Sequence, residues 1–294
     1  MKKPDRVVDA HVHFWDPART DWYPYLSGST PEQRAQLQLG DTAGMERRFD
    51  PAIHRAESKG WNVEKFVNVA AAVGRHSIDE TLDFDRRAAA EGGPHAIVGG
   101  LPSPDTIPIA EAIELIDRQM TATRFRGLRP MGSSKGPLPP PEVLRALSER
   151  DLVFDLMAHP DALLEAARGL APFPDLVVVV EHTGWPRSDS GDERRMWLEG
   201  MQALAALGDN VHCKLSGLAM PLGVMSADAF APWIEPAIEA FGVERCFFAS
   251  NFPVDGMYGT FDEQYSAYAE VTAGLDDDAR ERLFAGNAER VYRC

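Results

Sequence analysis

Short apolar runs rich in β-branched residues punctuate the chain at positions 6–14, 65–73, 96–102, 125–130, 153–159, 176–184, 211–218 and 246–253. They are close to continuously hydrophobic rather than alternating. That is the pattern of parallel strands covered on both faces. Amphipathic stretches with helical spacing lie between them, at 79–91, 109–121, 141–150, 161–170, 194–207 and 227–241. Ser77 or Asp79 is placed to cap the first of these, and Pro141 suits a first helical turn. Strand–helix alternation repeated eight times predicts an α/β chain folded as a (β/α)8 TIM barrel. A doubly wound sheet is the alternative, but it calls for fewer strands and a glycine-rich first turn, and no G-x-G-x-x-G occurs. A length of 294 residues suits one barrel, so positions 1–294 are read as a single domain.

The first connection is long, from position 15 to about 62, and carries Trp15, Trp22, Tyr23 and Tyr25 near its start. Long ordered loops are often functional, and a segment after a first barrel strand lies at the C-terminal rim. The competing reading is an insertion packed on the outside. The Gly/Pro-rich loop at 131–141 is expected to be exposed. Its G-x-S-x-G at 132–136 is not a nucleophile elbow, because a proline-rich stretch follows instead of a helix.

A formal net charge of −15 argues against nucleic acid and membrane surfaces as partners and leaves a small-molecule substrate. Cys213, Cys246 and Cys294 are odd in number and widely spaced, which suggests free thiols in a reducing compartment. Cys213 and Cys246 fall in apolar runs and read as core. No stretch approaches the roughly 18 apolar residues of a membrane helix, and the N-terminus lacks a signal-peptide core. A cytoplasmic enzyme is expected, with homo-oligomerisation left open.

The candidate chemistry starts with His11 and His13. Two apart on a strand, they share a face, with Cα atoms roughly 6.5 Å apart. They can converge on one divalent ion or one polarised water, or pair with each other in the core. His159 and His182 close the fifth and sixth strand runs and open onto the same rim. Lys214, Asp155 and Asp9 lie inside strand runs, where buried charges need partners. Asp9 shares strand parity with His11. Glu181 alternates with His182 and is expected to face the helices. His54 and His76 have no partner at ligand spacing and read as surface residues.

Six dispersed motifs resemble the amidohydrolase superfamily: Asp9-Ala10-His11-Val12-His13-Phe14-Trp15, Phe125-Arg126-Gly127-Leu128-Arg129-Pro130, Glu181-His182-Thr183-Gly184, Lys214-Leu215-Ser216-Gly217, Ser250-Asn251-Phe252-Pro253-Val254-Asp255, and Gly286-Asn287-Ala288 with Val291-Tyr292. More narrowly, the chain resembles the branch of sugar-acid lactonases and 2-pyrone-4,6-dicarboxylate lactonase. The resemblance implies a (β/α)8 barrel that hydrolyses a small lactone or cyclic ester, expected to bear a carboxylate. It implies that the pair His11 and His13 holds one divalent metal or works without one; His159, at the same rim, is read as a third ligand, and imidazole ligands suit zinc or alternatively manganese. It implies that His182 acts on substrate or water and that Arg126 or Arg129 binds substrate; Trp15, on the loop after the first strand, is read as a further substrate contact.

The departure is Asn251, which stands where the family places an aspartate. An amide cannot accept a proton at neutral pH. The base is then Asp255 or His182, or the chain does not hydrolyse in the usual way. Asn251 retains a carbonyl oxygen for substrate or metal, and Asp255 could equally cap the next turn. Decarboxylation or isomerisation of a sugar or aromatic acid, and a barrel that only binds its ligand, are the competing functions.

Overall fold

A computed structural model of the protein describes residues 2–26, 42–103, 105–130 and 136–294. The expectations for positions 131–135, including most of the G-x-S-x-G stretch, lie outside the described residues. Eight strands form one sheet in chain order: β1 (Val7–Val12), β2 (Val63–Val69), β3 (Ala96–Gly99), β4 (Phe125–Leu128), β5 (Val153–Leu156), β6 (Val178–Val180), β7 (Val211–Leu215) and β8 (Cys246–Phe248). Every neighbouring pair is parallel. The ends of the sheet meet just beyond β8. The Asn251 amide donates to the His11 carbonyl, and the His13 amide to the Phe252 carbonyl, each at 2.8 Å. These bonds close the barrel and place its two end strands side by side at the rim.

Helices α1 (Pro51–Glu57), α2 (His76–Glu91), α3 (Ile109–Gln119), α4 (Pro141–Glu149), α5 (Pro160–Leu170), α6 (Gly191–Ala205), α7 (Ala227–Phe241), α8 (Phe261–Val271) and α9 (Asn287–Tyr292) surround or close the sheet. Pro141 opens α4 as expected. Neither Ser77 nor Asp79 caps α2, which starts at His76 without a side-chain cap. The Ser77 hydroxyl turns back to the Gly74 carbonyl at 2.7 Å instead. Three of these helices, α1, α8 and α9, lie beyond the predicted set. Asp50 caps α1 through the amides of Ala52 and Ile53, and Thr260 with Glu263 forms a capping box on α8. No helix among the described residues is long and apolar enough to cross a membrane.

The core has two layers. Val8, Ala10, Val67, Val98, Val153, Val179 and Phe247 fill the barrel, joined from below by Ala288, Val291 and Tyr292 of α9. Phe66, Phe154, Leu215, Phe248, Trp197 and Trp233 pack between strands and helices. Cys213 and Cys246 are in register on β7 and β8, and both are fully buried, as core thiols should be.

The described part of the long first connection returns to the rim. Tyr23 donates to Glu80 at 2.8 Å, and Tyr25 to the Ala71 carbonyl at 2.8 Å, beside the end of β2. Burial pushes the Glu80 carboxyl up to about 7, against donors at Tyr23, Ala71 and Ala72 that pull it down. The folded state therefore holds this proton to higher pH than the unfolded chain does. Stability from this group is fullest below the unfolded value near 4.5, falls as pH rises towards 7, and is flat above. Glu80→Gln should flatten the pH dependence of the urea midpoint across that window, by at most roughly 3 kcal/mol. An unchanged pH slope would show that Glu80 ionises as freely folded as unfolded.

Candidate active site

His11 and His13 lie fully within the barrel mouth, with their Nε2 atoms 3.0 Å apart. Their other ring nitrogens are anchored. His13 Nδ1 faces the Val69 carbonyl at 2.7 Å. His11 Nδ1 faces Glu181 Oε1 at 3.2 Å, with Lys214 Nζ at 3.4 Å. A carbonyl and a carboxylate only accept, so these contacts assign the protons to Nδ1. Two Nε2 lone pairs then face each other, and a shared proton or a divalent cation relieves their repulsion. Burial holds His11 well below the ordinary histidine range and His13 at about 3. Neutral imidazoles with a carboxylate or carbonyl behind them are the usual form of metal-ligating histidines.

His182 completes the cluster, its ring 4.6 Å from that of His11. It sits on an unusual backbone. β6 stops at Val180, and His182, Thr183, Gly184 and Trp185 all take positive φ, at 52°, 56°, 70° and 42°. Left-handed backbone costs roughly 1–2 kcal/mol for each non-glycine residue, so surrounding contacts must hold the turn. Trp197 Nε1 donates to the Thr183 carbonyl at 2.6 Å, and Thr183 Oγ1 exchanges hydrogen bonds with the backbone of Ser216. The Ser216 hydroxyl meets His182 Nδ1 at 3.0 Å, which leaves Nε2 for the site. Gly217 admits the ring, since a Cβ there would lie 2.6 Å from His182 Cγ. Burial brings His182 down to about 4, and the Arg129 and Lys214 charges add to it. Among the described residues, His11, Glu181 and His182 bring possible ligand atoms within 4.8 Å of one another.

Against known proteins, the sequence profile of the Amidohydrolase family matches residues 8–294. The chain belongs to the amidohydrolase family. It is 32% identical over 98% of its length to an uncharacterized protein of Sinorhizobium fredii, covering 98% of that protein. It is 30% identical over 97% of its length to an L-fucono-1,5-lactonase of Burkholderia ambifaria, covering 95% of that enzyme. A crystal structure of a zinc-bound amidohydrolase from Burkholderia multivorans superposes with a TM-score of 0.76 at 24% identity, over 98% of this chain and 99% of that one.

The other residues expected in this amidohydrolase's site divide into those the barrel brings in and those it does not. Arg129 follows β4 at the rim, its guanidinium donating to the Ala70 carbonyl and lying 3.7 Å from Glu181 Oε2. Arg126 does not join it. It stands second in β4, near the opposite end of the barrel, and donates to the carbonyls of Thr123, Phe125 and Arg293. Trp15 is buried, its ring stacked on His13 at 6.1 Å and its Nε1 donating to the Arg47 carbonyl. His159 stands outside the group of possible ligands, with Nδ1 on the Trp185 carbonyl at 3.0 Å, where it braces the left-handed turn. Asn251 lies beside His11, and Asp255 sits behind Asn251, with 2.8 Å between Nδ2 and Oδ1. Burial pushes Asp255 up to about 7.

Three expectations are corrected. Glu181 faces the site rather than the helices, because strand alternation ends at Val180 and the left-handed turn redirects the chain. His54 is wholly buried, since α1 folds it against Asp9 at 2.8 Å. Asp9 shares that bond with Ser250 and stays out of the inner network, because the β1–β2 register shifts between Asp9 and Val12. Lys214 and Asp155 do pair inside the barrel, at 2.6 Å. Ser216 and Trp197 support the site without having been singled out in the sequence, where Ser216 stood only inside the Lys214-Leu215-Ser216-Gly217 motif. Arg126→Ala should therefore leave kcat/KM within about twofold on any substrate, whereas Arg129→Ala should lower it at least about tenfold by stripping a buried cation from Glu181. Steady-state kinetics on the two variants, side by side, checks the assignment.

Proposed function

We propose that this amidohydrolase opens a neutral, polyhydroxylated lactone of sugar-acid type by attack of water on the ring carbonyl. The observation that carries the reading is the neutral triad His11, His13 and His182 gathered at the barrel rim. Similarity to an L-fucono-1,5-lactonase along nearly the whole chain supports it. A carboxylate-bearing lactone fits less well, because Arg126 points away and the terminal nitrogens of Arg129 face Glu181 and Ala70, which leaves Nε alone rather than a two-point grip on a carboxylate.

In this reading the water oxygen bonds to the carbonyl carbon while one of its protons passes to His182 Nε2. Ser216 holds the far side of that ring. Arg129 Nε, a buried donor with no partner among the described residues, meets the carbonyl oxygen as it gains negative charge. The ring C–O bond then breaks, and the leaving oxygen takes the proton from His182, giving the open hydroxy acid. The donor set also fits a divalent ion, zinc by the preference of neutral imidazoles, with His11 and His13 as its ligands, Glu181 behind His11 and the Val69 carbonyl behind His13. Such an ion, when bound, would polarise the carbonyl and lower the pKa of water. A cytoplasmic location accords with three free cysteines, of which Cys213 and Cys246 are buried.

Asn251 favours a second reading, decarboxylation or isomerisation, because neither needs a carboxylate at that strand end. The test is a panel of lactones and sugar acids, run on protein of measured metal content before and after chelation. The expected result is turnover of aldonolactones to hydroxy acids, lost by roughly two to three orders of magnitude in His182→Asn. Release of CO₂, or a product of unchanged mass, would replace the lactonase reading with the second one. Full activity in verified metal-free protein would remove the ion from the mechanism.

A further inference from the structure

Asn251 has a fixed backbone and a fixed side chain. Its amide N–H donates to the His11 carbonyl at 2.8 Å, and its φ of 57° bends the chain away from β8. The residue is buried, at 1% exposed. Its Nδ2 donates to Asp255 Oδ1 at 2.8 Å. Asp255 is held in turn: Gln264 Nε2 donates to its Oδ2 at 3.0 Å and to the Ser250 carbonyl at 3.0 Å. Both Asp255 oxygens therefore accept, one from Asn251 Nδ2 and one from Gln264 Nε2, so Asp255 dictates which way the Asn251 amide points. Nδ2 turns towards Asp255, and Oδ1 turns away from it. That Oδ1 is buried and has no partner among the described residues. Both Asp255 oxygens are engaged behind Asn251, which suits an anchor better than a group that meets water.

Resting on the lactone reading above, we propose that Asn251 Oδ1 accepts a hydrogen bond from one hydroxyl of the lactone, and that Asp255 is the positioning residue that keeps it an acceptor. The amide and carboxylate at this strand end then select a hydroxylated substrate, while proton transfer stays with His182. Asp255→Asn frees the amide to turn its NH₂ into the site, where it opposes a hydroxyl donor less well. Asn251→Asp combined with Asp255→Asn reverses the pair: the new amide donates, and the site again presents an acceptor.

The experiment measures kcat and KM for wild type, Asp255→Asn and the reversed double variant, on an aldonolactone and its singly deoxygenated analogues, across pH. In wild type, one deoxy analogue should lose roughly tenfold in kcat/KM, mainly through KM. Asp255→Asn should lose a similar factor on the parent lactone, lose little more on that analogue, and keep the wild-type pH profile. The reversed pair should recover most of the parent activity. Gln264→Met, one contact further out, should shift KM in the same direction and serves if Asp255→Asn does not fold. Asp255→Asn that abolishes kcat together with the acid limb of the pH profile would make Asp255 the base and overturn the inference. So would unchanged discrimination in an active variant, or a reversed pair no better than the single change. A wild type inert towards every lactone overturns the function reading itself, and the inference with it.

Discussion

Glu181→Gln is expected to cost about a hundredfold in kcat/KM with little change in fold. Glu181 Oε1 fixes the proton on His11 Nδ1 at 3.2 Å, and its carboxylate lies 3.5 Å from Lys214 and 3.7 Å from Arg129. The amide has similar volume but presents an NH₂ as readily as an oxygen, so it no longer dictates the His11 tautomer. It also leaves two cations beside three histidines without their shared anion. Groups that orient a ligating histidine from behind are commonly worth 10–100-fold in activity or metal affinity, and the lost charge adds to that. Steady-state kinetics, paired with metal stoichiometry, would check it. A loss below threefold would mean that His11 does not depend on Glu181 for its proton.

Lys214→Met is expected to lower stability by about 3–5 kcal/mol. Lys214 Nζ lies in a wholly buried site, 2.6 Å from Asp155 and over the ring of Tyr292. Tyr292 donates to both Asp155 oxygens at 2.9 Å. Methionine fills the space but leaves the Asp155 carboxylate without its cation, and burial then favours the protonated acid. Urea unfolding at pH 7 measures the loss. Lys214→Met with Asp155→Leu should be less destabilised than Lys214→Met alone, because it removes the orphaned carboxylate and leaves only the neutral Tyr292 hydroxyl without its acceptor. A double variant no more stable than the single one would show that the cost lies in packing rather than in the pair.

The strands were legible because two-sided burial writes them as unbroken apolar runs. Val178–Val180 and Val211–Leu215 are examples. The histidines were legible because three strand ends shared them. What the pattern could not show was local backbone. Strand parity put Glu181 outside, and only the positive φ values after Val180 bring it in beside His182. The same limit applies to Arg126 and Arg129: they differ by three positions, yet a four-residue strand puts them at opposite ends of the barrel. His54 read as isolated because its partner, Asp9, is 45 residues away and reached only when α1 folds back. Asn251 was visible as a departure, but its orientation depends on Asp255 and Gln264, which no spacing rule links to it.

The closure of the barrel has a consequence for how the enzyme comes into being. Its seam joins His11 and His13 to Asn251 and Phe252, and the neighbouring Asp9–Ser250 contact spans 241 residues of chain. A ribosome making this polypeptide delivers the first two histidines long before their neighbours beyond β8. Contacts of such separation carry a large loop-closure cost and form late. A chain interrupted before β8 can therefore hold helices and a partial sheet without any working mouth, so hydrolytic competence itself reports that β8 has been made and has docked beside β1.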